Sequence, residues 1–290
     1  MQINHLSKQL NNRELFSDIT FNVNPGEIIG IVGRNGIGKT SLFRTIMGLY
    51  TPDQGEVLIH GKSLAQHPEL KEQLFLLPDE FKAWEGYKLK TIQKFYSKNY
   101  THFNDEKFTD LMLAFNLPIN AKLGTYSKGM SALFGIILSL SIGAQYLLLD
   151  EPMEGLDIIV QKKIMSALMA EVSDRQLGIV LSSHRLDDLA PIADYVHLIK
   201  NKKIEKTYHL ESLRSEATKI QIAFKDGIIP DFVREQGDII NKQGQVFTIL
   251  FMQKYTDLHK NLLEIEPLFM DQLPVTLTDL FNFHLKDEED

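Results

Sequence analysis

Apolar residues along this chain change period several times, and each change marks a new kind of element. Ile28–Val32 (IIGIV) is an unbroken apolar run of strand length, the pattern of a parallel strand covered on both faces. Short strand candidates are Asp18–Val23, Glu27–Val32, which contains this run, and Glu56–His60, the last following the turn Pro52-Asp53-Gln54-Gly55. Ser41–Met47 reads as a helix stopped by Gly48 and Pro52. From about residue 80 to 140 the spacing turns helical, with Phe108, Leu111, Met112 and Phe115 three and four apart and Phe95 and Ile136 on either side. Strand-like runs return at Tyr146–Leu149 and Gly178–Ser182, with a helix across Ile158–Glu171 between them. Strands alternating with helices imply a parallel sheet with crossover helices.

The nearly apolar stretch Leu133–Leu149 is broken by Ser139, Ser141, Gly143 and Gln145. A membrane span needs about 20 predominantly apolar residues, so this stretch reads as a buried helix at Ser131–Leu140 feeding a buried strand. Past Leu210 the character changes. Ile220, Ile222 and Phe224 alternate on one face of Lys219–Phe224, and Gln245–Phe251 is a second strand after the turn Lys242-Gln243-Gly244. A helix at Asp257–Glu264, a strand at Leu268–Gln272 and a helix at Thr276–His284 complete a small separate α/β unit, and the tail Asp287–Asp290 reads as a solvated end. The expected division is therefore 1–210 and 211–290.

Composition narrows the chemistry. With 43% hydrophobic and 24% charged residues, the 290-residue chain has the make-up of an ordinary globular protein with a sizeable core. A net charge of −7 argues against nucleic acid as a bulk partner, although it leaves room for a local basic patch. There are no cysteines, which excludes disulfides, thiolate metal sites and cysteine nucleophiles. The start Met1-Gln2-Ile3-Asn4-His5 has no basic or apolar leader pattern, so the default expectation is a cytoplasmic protein.

The most specific stretch is Gly33-Arg34-Asn35-Gly36-Ile37-Gly38-Lys39-Thr40, followed by Ser41. Its pattern G-x-x-x-x-G-K-[ST] lets backbone N–H groups curl around the phosphates of a nucleotide, with the start of the next helix behind them. Lys39 is placed to reach the terminal phosphates and the Thr40 hydroxyl to coordinate Mg2+. Tyr146–Leu149 delivers Asp150 and Glu151 at its end. Asp150 is placed to hold Mg2+ directly or through water, and Glu151 to polarise the water that attacks the γ-phosphate. Gly155-Leu156-Asp157 follows within a turn. His184 ends the next strand, at the sheet edge where ligands of open α/β sheets bind. Tyr126-Ser127-Lys128-Gly129-Met130 precedes a helix, and a hydroxyl with free N–H groups there forms an anion site.

In this order the motifs resemble those of the nucleotide-binding subunit of ATP-binding cassette (ABC) transporters, over about residues 1–215. The resemblance identifies Gly33–Thr40 as Walker A, Leu147–Asp150 as Walker B and Glu151 as the catalytic glutamate. It identifies Ser127-Lys128-Gly129-Met130 as the signature, Gly155-Leu156-Asp157 as the D-loop and His184 as the switch histidine. It implies an α/β fold: a P-loop NTPase with a RecA-like parallel-sheet core, an N-terminal antiparallel β part, a helical subdomain near 80–135 and a small C-terminal α/β domain. It implies ATP hydrolysis with Mg2+ and an integral membrane permease on another polypeptide, at the cytoplasmic face of the membrane. A second ATPase subunit, identical or different, would close head to tail, so that Ser127 and Gly129 of one subunit meet the γ-phosphate held by Lys39 of the other. The Tyr-Ser-Lys-Gly-Met form and the Leu-Thr-Asp-Leu-Phe tail look like bacterial exporters of drugs, antibiotics, toxins or peptides. The alternative is a soluble ABC ATPase not coupled to transport.

The chain departs from the family pattern at several places. Leu10 stands where an aromatic residue stacks on adenine, unless Phe16 substitutes. Asp79 stands where a glutamine contacts the metal, and Met130, Leu133 and Ile158 replace a glutamine, an arginine and a proline. Slow, partner-dependent ATP turnover is the resulting expectation.

Overall fold

The apolar run Ile28–Val32 forms β3 and is buried at every position, as a strand covered on both faces must be. It lies within a six-stranded sheet together with Leu74–Leu77 (β6), Tyr146–Leu149 (β7), Gly178–Ser183 (β8), Tyr195–Lys200 (β9) and Lys203–His209 (β10). The strand order is β10-β9-β3-β8-β7-β6, and β9, β3, β8, β7 and β6 run parallel. This is a computed structural model describing residues 1–78, 81–212, 217–225, 227–252 and 255–280. It divides into two units, Met1–Thr207 and Tyr208–Asp290.

A second sheet in the first unit joins Gln2–Leu10 (β1), Arg13–Asn22 (β2), Gln54–Ile59 (β4) and Lys62–Ser63 (β5) in the antiparallel order β2-β1-β4-β5. Ile3, Leu6, Phe16 and Ile19 of this sheet share one buried cluster with Leu42 and Phe43 of helix α1 (Lys39–Ile46) and with Ile29 and Ile31 of β3. That cluster fixes the base of the loop preceding α1. The sequence pattern misses β1 and shortens β2 because both strands are bulged. Their pairing slips between Ile3 and Leu6, and His5 and Asp18 take positive φ of 49° and 55°. A bulge breaks the period of two that a pattern search relies on.

Helices α2 (Leu89–Asn99), α3 (Asp105–Ala114) and α4 (Lys128–Ser141) make up the middle of the unit, with short 3-10 turns at Lys82–Trp84 and Leu123–Thr125. Asn104 caps α3 by accepting from the Lys107 N–H, and Asp105 and Glu106 sit in its first turn where negative charge suits the helix dipole. The run read as a buried helix is α4, whose residues Leu133–Ser141 are all buried, and it does feed β7. Ile158–Arg175 (α5) and Leu186–Leu189 (α6) complete the unit. β6, a four-residue run too short to separate strand from helix by period, and β9 are visible only in the structure. Among the described residues no helix is long and apolar enough to cross a membrane.

The second unit holds Thr218–Ala223 (β11), Gly237–Gln243 (β12), Val246–Phe251 (β13) and Phe269–Leu273 (β14) in the antiparallel order β12-β13-β11-β14. Ile220, Ile222, Phe247, Ile249 and Phe251 pack with Val233 of α7 (Asp231–Gln236) and Leu262 of α8 (Tyr255–Glu264). β12 and α7 escape the sequence reading because β12 is a largely exposed, polar edge strand and α7 spans fewer than two turns. Residues 277–280 are helical where a helix is expected. The rest of that helix and the acidic tail lie outside the described residues.

Candidate active site

The parallel registers bring four carboxyl strand ends to one edge: Val32 pairs with Ser183, Leu149 with Leu181, and Leu77 with Leu149. The loop after β3 turns there through Gly36 and Gly38, at φ 79° and 116°. A Cβ on Gly38 would meet the Leu15 carbonyl oxygen at 2.5 Å, so only glycine fits between β2 and the loop. No side chain caps α1 at Gly38, which leaves its amino end open to an anion. Lys39, only 6% exposed, donates from Nζ to the Gly33 carbonyl at 2.7 Å and reaches that of Arg34 at 3.5 Å. Arg34, Asn35 and Gly36 are exposed, and Ile37, Gly38, Thr40 and Ser41 are half-buried.

Glu151 is the meeting point of the site. It follows β7 with φ at +47°, a left-handed conformation that costs a non-glycine residue about 1–3 kcal/mol unless its neighbours hold it. The neighbour is Ser182 of β8, a fully buried hydroxyl. Its Oγ donates to Asp150 Oδ1 at 2.7 Å and accepts the Glu151 N–H at 2.9 Å. Asp150 is thereby fixed at 2% exposure at the end of its strand. The Glu151 side chain, 13% exposed, places Oε1 3.0 Å from Lys39 Nζ, as an ion pair rather than an aligned hydrogen bond. Its Oε2 accepts the His184 N–H at 3.2 Å and lies 3.0 Å from His184 Nδ1. Ser183 steadies the histidine turn by donating to the buried Asp188 at 2.8 Å and accepting the Arg185 N–H.

Lys39, Asp150, Glu151 and His184 are therefore brought together, on three different strand ends. Ser127, Lys128, Gly129 and Asp157 are not at the phosphate loop. Ser127 caps α4 by accepting the Met130 N–H at 3.2 Å, and Asp157 caps α5 by accepting from Ile159 and Val160, both at 3.0 Å. The two caps adjoin each other: Lys128 Nζ lies 3.7 Å from Glu154 Oε1, and Gly129 faces Leu156. Lys128 and Glu154 of this pair line one cavity of about 320 Å³ together with Asp150 and Glu151, and with Leu77, Phe81 and Tyr126 among others. Asp79 lies outside the described residues.

Phe16 does not offer a ring to a nucleobase: it is 1% exposed and belongs to the core cluster beneath α1. The bulge at Asp18, with φ 55°, puts it on the same buried face as Ile19 and Phe21. Leu10, 46% exposed, ends β1. Ser182 and Asp188 are the positioning residues that the sequence pattern does not single out. Their signal is faint: a hydroxyl inside a buried strand, and a carboxylate in a short helix.

The family model described as ABC transporter matches residues 16–154. The ABC transporter ATP-binding protein YtrB of Bacillus subtilis is 27% identical over 282 residues, covering 97% of this chain and 96% of the relative. The lipopolysaccharide export ATP-binding protein LptB of Haemophilus influenzae is 28% identical over 212 residues, covering 70% of this chain and 88% of its own length. The ribose import ATP-binding protein RbsA of Oceanobacillus iheyensis is 30% identical, with 77% of this chain but 46% of the relative covered. Among solved structures, an ATP-binding subunit of an ABC transporter superposes with a TM-score of 0.67 at 24% identity, over 73% of this chain and 91% of the other. The dimeric cassette MJ0796 bound to ADP and phosphate superposes with a TM-score of 0.63 at 18% identity, over 72% of this chain and 98% of the other.

Proposed function

Since the chain is an ATPase of the ABC family, the ATP-binding subunit of a transporter, we propose that it powers a bacterial exporter of peptides, toxins or antibiotics through a separate membrane permease. The convergence of Lys39 and His184 on the Glu151 carboxylate is the observation that carries its chemistry. Relatives named for export and for import both match, and export rests on the likeness of Tyr126–Met130 and of the Leu277–Phe281 stretch to bacterial exporters. Residues 1–210 serve as the nucleotide-binding domain and 211–290 as an accessory domain.

In this reading ATP phosphates lie in the loop Gly33–Thr40, against its N–H groups and the amino end of α1, with Ser41 in the same turn. Lys39 leaves Glu151 for the terminal phosphates. The freed Glu151 carboxylate takes a proton from water as its oxygen bonds to the γ-phosphorus, and ADP departs with the electrons of the broken bond. His184, hydrogen-bonded to Oε2, keeps that carboxylate aimed.

Mg2+ fits the donors present. Thr40 and Asp150 supply hard oxygens, while among the described residues no group of three or more His, Asp or Glu side chains gathers for a metal. A cation completed by phosphate oxygens and water suits that set. When bound, it neutralises charge on the β- and γ-phosphates. Asp79 is a further candidate donor. Two subunits, identical or different, would close so that Ser127, Lys128 and Gly129 of one complete the γ-phosphate site of the other, with Asp157 beside the seam. The assembly sits on the cytoplasmic face of the membrane, with no nucleic-acid partner.

Glu151→Gln is expected to bind ATP and to lose about 10²–10⁴-fold in turnover, the usual worth of a general base; equal rates would remove Glu151 from that role. Affinity capture from detergent-solubilised membranes should return a stoichiometric multi-spanning protein. Recovery of the chain only from the soluble fraction would refute the coupling to transport. ATP-dependent uptake of a labelled amphipathic peptide into inverted vesicles tests direction.

A further inference from the structure

The segment around α2 carries a concentration of positive charge that the acidic chain does not share. Against a net charge of −7, residues 82–99 hold Lys82, Lys88, Lys90, Lys94 and Lys98 with Glu85 as their one carboxylate. Leu89 and Ile92 of α2 are buried. A turn of 100° per residue therefore sets Lys90, Lys94 and Lys98 in a row on the opposite face, and all three are exposed. Lys88 and the exposed Lys122 are paired across an isolated bridge at its amino end.

No carboxylate stands three or four positions from any lysine of the row. Among the described residues, Lys88, Lys90, Lys94, Lys98 and Lys122 form no ion pair. Like charges at four-residue spacing weaken a helix in water, so an ordinary solvated face would intersperse acids. This one does not.

Aromatic rings flank the row. Trp84 lies 5.5 Å from Tyr87 and 5.0 Å from Phe95, centroid to centroid, and Tyr87 and Phe95 are 51% and 47% exposed. Lysine stems with charged tips, beside half-exposed tryptophan and tyrosine, match the chemistry of a headgroup layer. A field of anionic headgroups neutralises a row of ammonium groups without fixed registry. The rings contact one another at interplanar angles of 58° to 66° rather than standing apart as platforms for bases.

The geometry points to α2 and the turn before it as a docking surface for anionic phospholipid headgroups. This rests on the membrane location proposed above. It adds a lipid contact to the permease contact.

Trp84 is the sole tryptophan of the chain, so its emission reports on this patch. The purified full chain is mixed with vesicles of phosphatidylcholine, with and without phosphatidylglycerol, and followed by sedimentation and Trp84 emission. Binding and a blue shift are expected only with phosphatidylglycerol, fading as salt rises. Replacing Lys90, Lys94 and Lys98 by Ser should weaken binding about fivefold per lysine, roughly 100-fold together. The same change at the exposed Lys162, Lys163 and Lys203 should leave binding as in the parent.

Equal binding to phosphatidylcholine alone, equal loss in the control triple, or a shift produced by inorganic phosphate or an oligonucleotide would overturn the inference. So would binding that requires permease in the vesicle. The Lys90, Lys94 and Lys98 variant should retain parental ATPase activity in solution. An active chain that ignores anionic vesicles sinks the lipid contact alone. A vesicle-binding chain that recovers no permease sinks the transport reading and leaves the lipid contact standing.

Discussion

Ser182→Ala tests whether one buried hydroxyl sets up the catalytic edge. Its Oγ makes two bonds at once, to Asp150 Oδ1 at 2.7 Å and from the Glu151 N–H at 2.9 Å. A hydrogen bond to a charged group contributes about 1.5–3 kcal/mol, and an orphaned buried N–H costs about 1–3 kcal/mol. Because both act through one atom they do not simply add, and a loss of about 3 kcal/mol is expected. A unit of this size melts about 2–4 °C lower per kcal/mol, so its transition should fall by roughly 6–12 °C. Trp84 lies in the first unit and reports that transition.

Activity should fall further than stability suggests. Glu151 is held at φ +47°, and without Ser182 the backbone can relax toward negative φ and carry the carboxylate away from the phosphate loop. A displacement of about 1 Å of a reacting group is worth up to about 10²-fold. The expected result is a kcat 10- to 100-fold lower, on the same order-of-magnitude scale, with KM for ATP nearly unchanged. Ser139→Ala is the control: its buried hydroxyl donates at 2.7 Å to Gly135 O within α4, and its loss should cost under about 1 kcal/mol. A Ser182→Ala protein with parental melting and parental kcat would refute the assigned role.

Two further outcomes follow from the packing. His197 is buried against Phe21, and burial lowers its pKa to about 4. The folded state therefore resists protonation that the unfolded chain accepts near pH 6.5. Its contribution is fully present above pH 6.5 and is lost as pH falls toward 4, by about 3 kcal/mol over that window. Urea unfolding at pH 7 and pH 5 should show the drop in the parent, and His197→Gln should flatten it; an unchanged slope would place the proton uptake elsewhere. Asp157→Ala removes the acceptor for two N–H groups at the start of α5. It should cost about 1 kcal/mol of stability in thermal melts, whereas Asp157→Asn should recover most of it.

The sequence alone determined the local grammar of this protein. The octet Gly33–Thr40 announces a phosphate loop because its glycines and lysine act through neighbours in the chain. β7, read at Tyr146–Leu149, has those limits in the structure, and β3 begins one residue after its expected start. The flanking helix and the pair Asp150-Glu151 at the end of β7 place it as a strand, a context that β6, of the same length, lacks. Irregular or one-sided elements were not legible: bulged β1, four-residue β6 and edge strand β12 carry no clean period.

Tertiary structure decided which residues meet. On paper Phe16 can stand in for the aromatic residue that Leu10 replaces, but the bulge at Asp18 sends Phe16 into the core. Ser182 is an unremarked serine until the parallel pairing of β7 with β8 carries it to Asp150 and Glu151. Lys39 and Glu151 lie 112 positions apart and meet at 3.0 Å because two parallel strands end at one edge. Sequence supplies which groups are available. Only the register of a sheet, a long-range property held by hydrogen bonds between distant segments, determines which of them face each other.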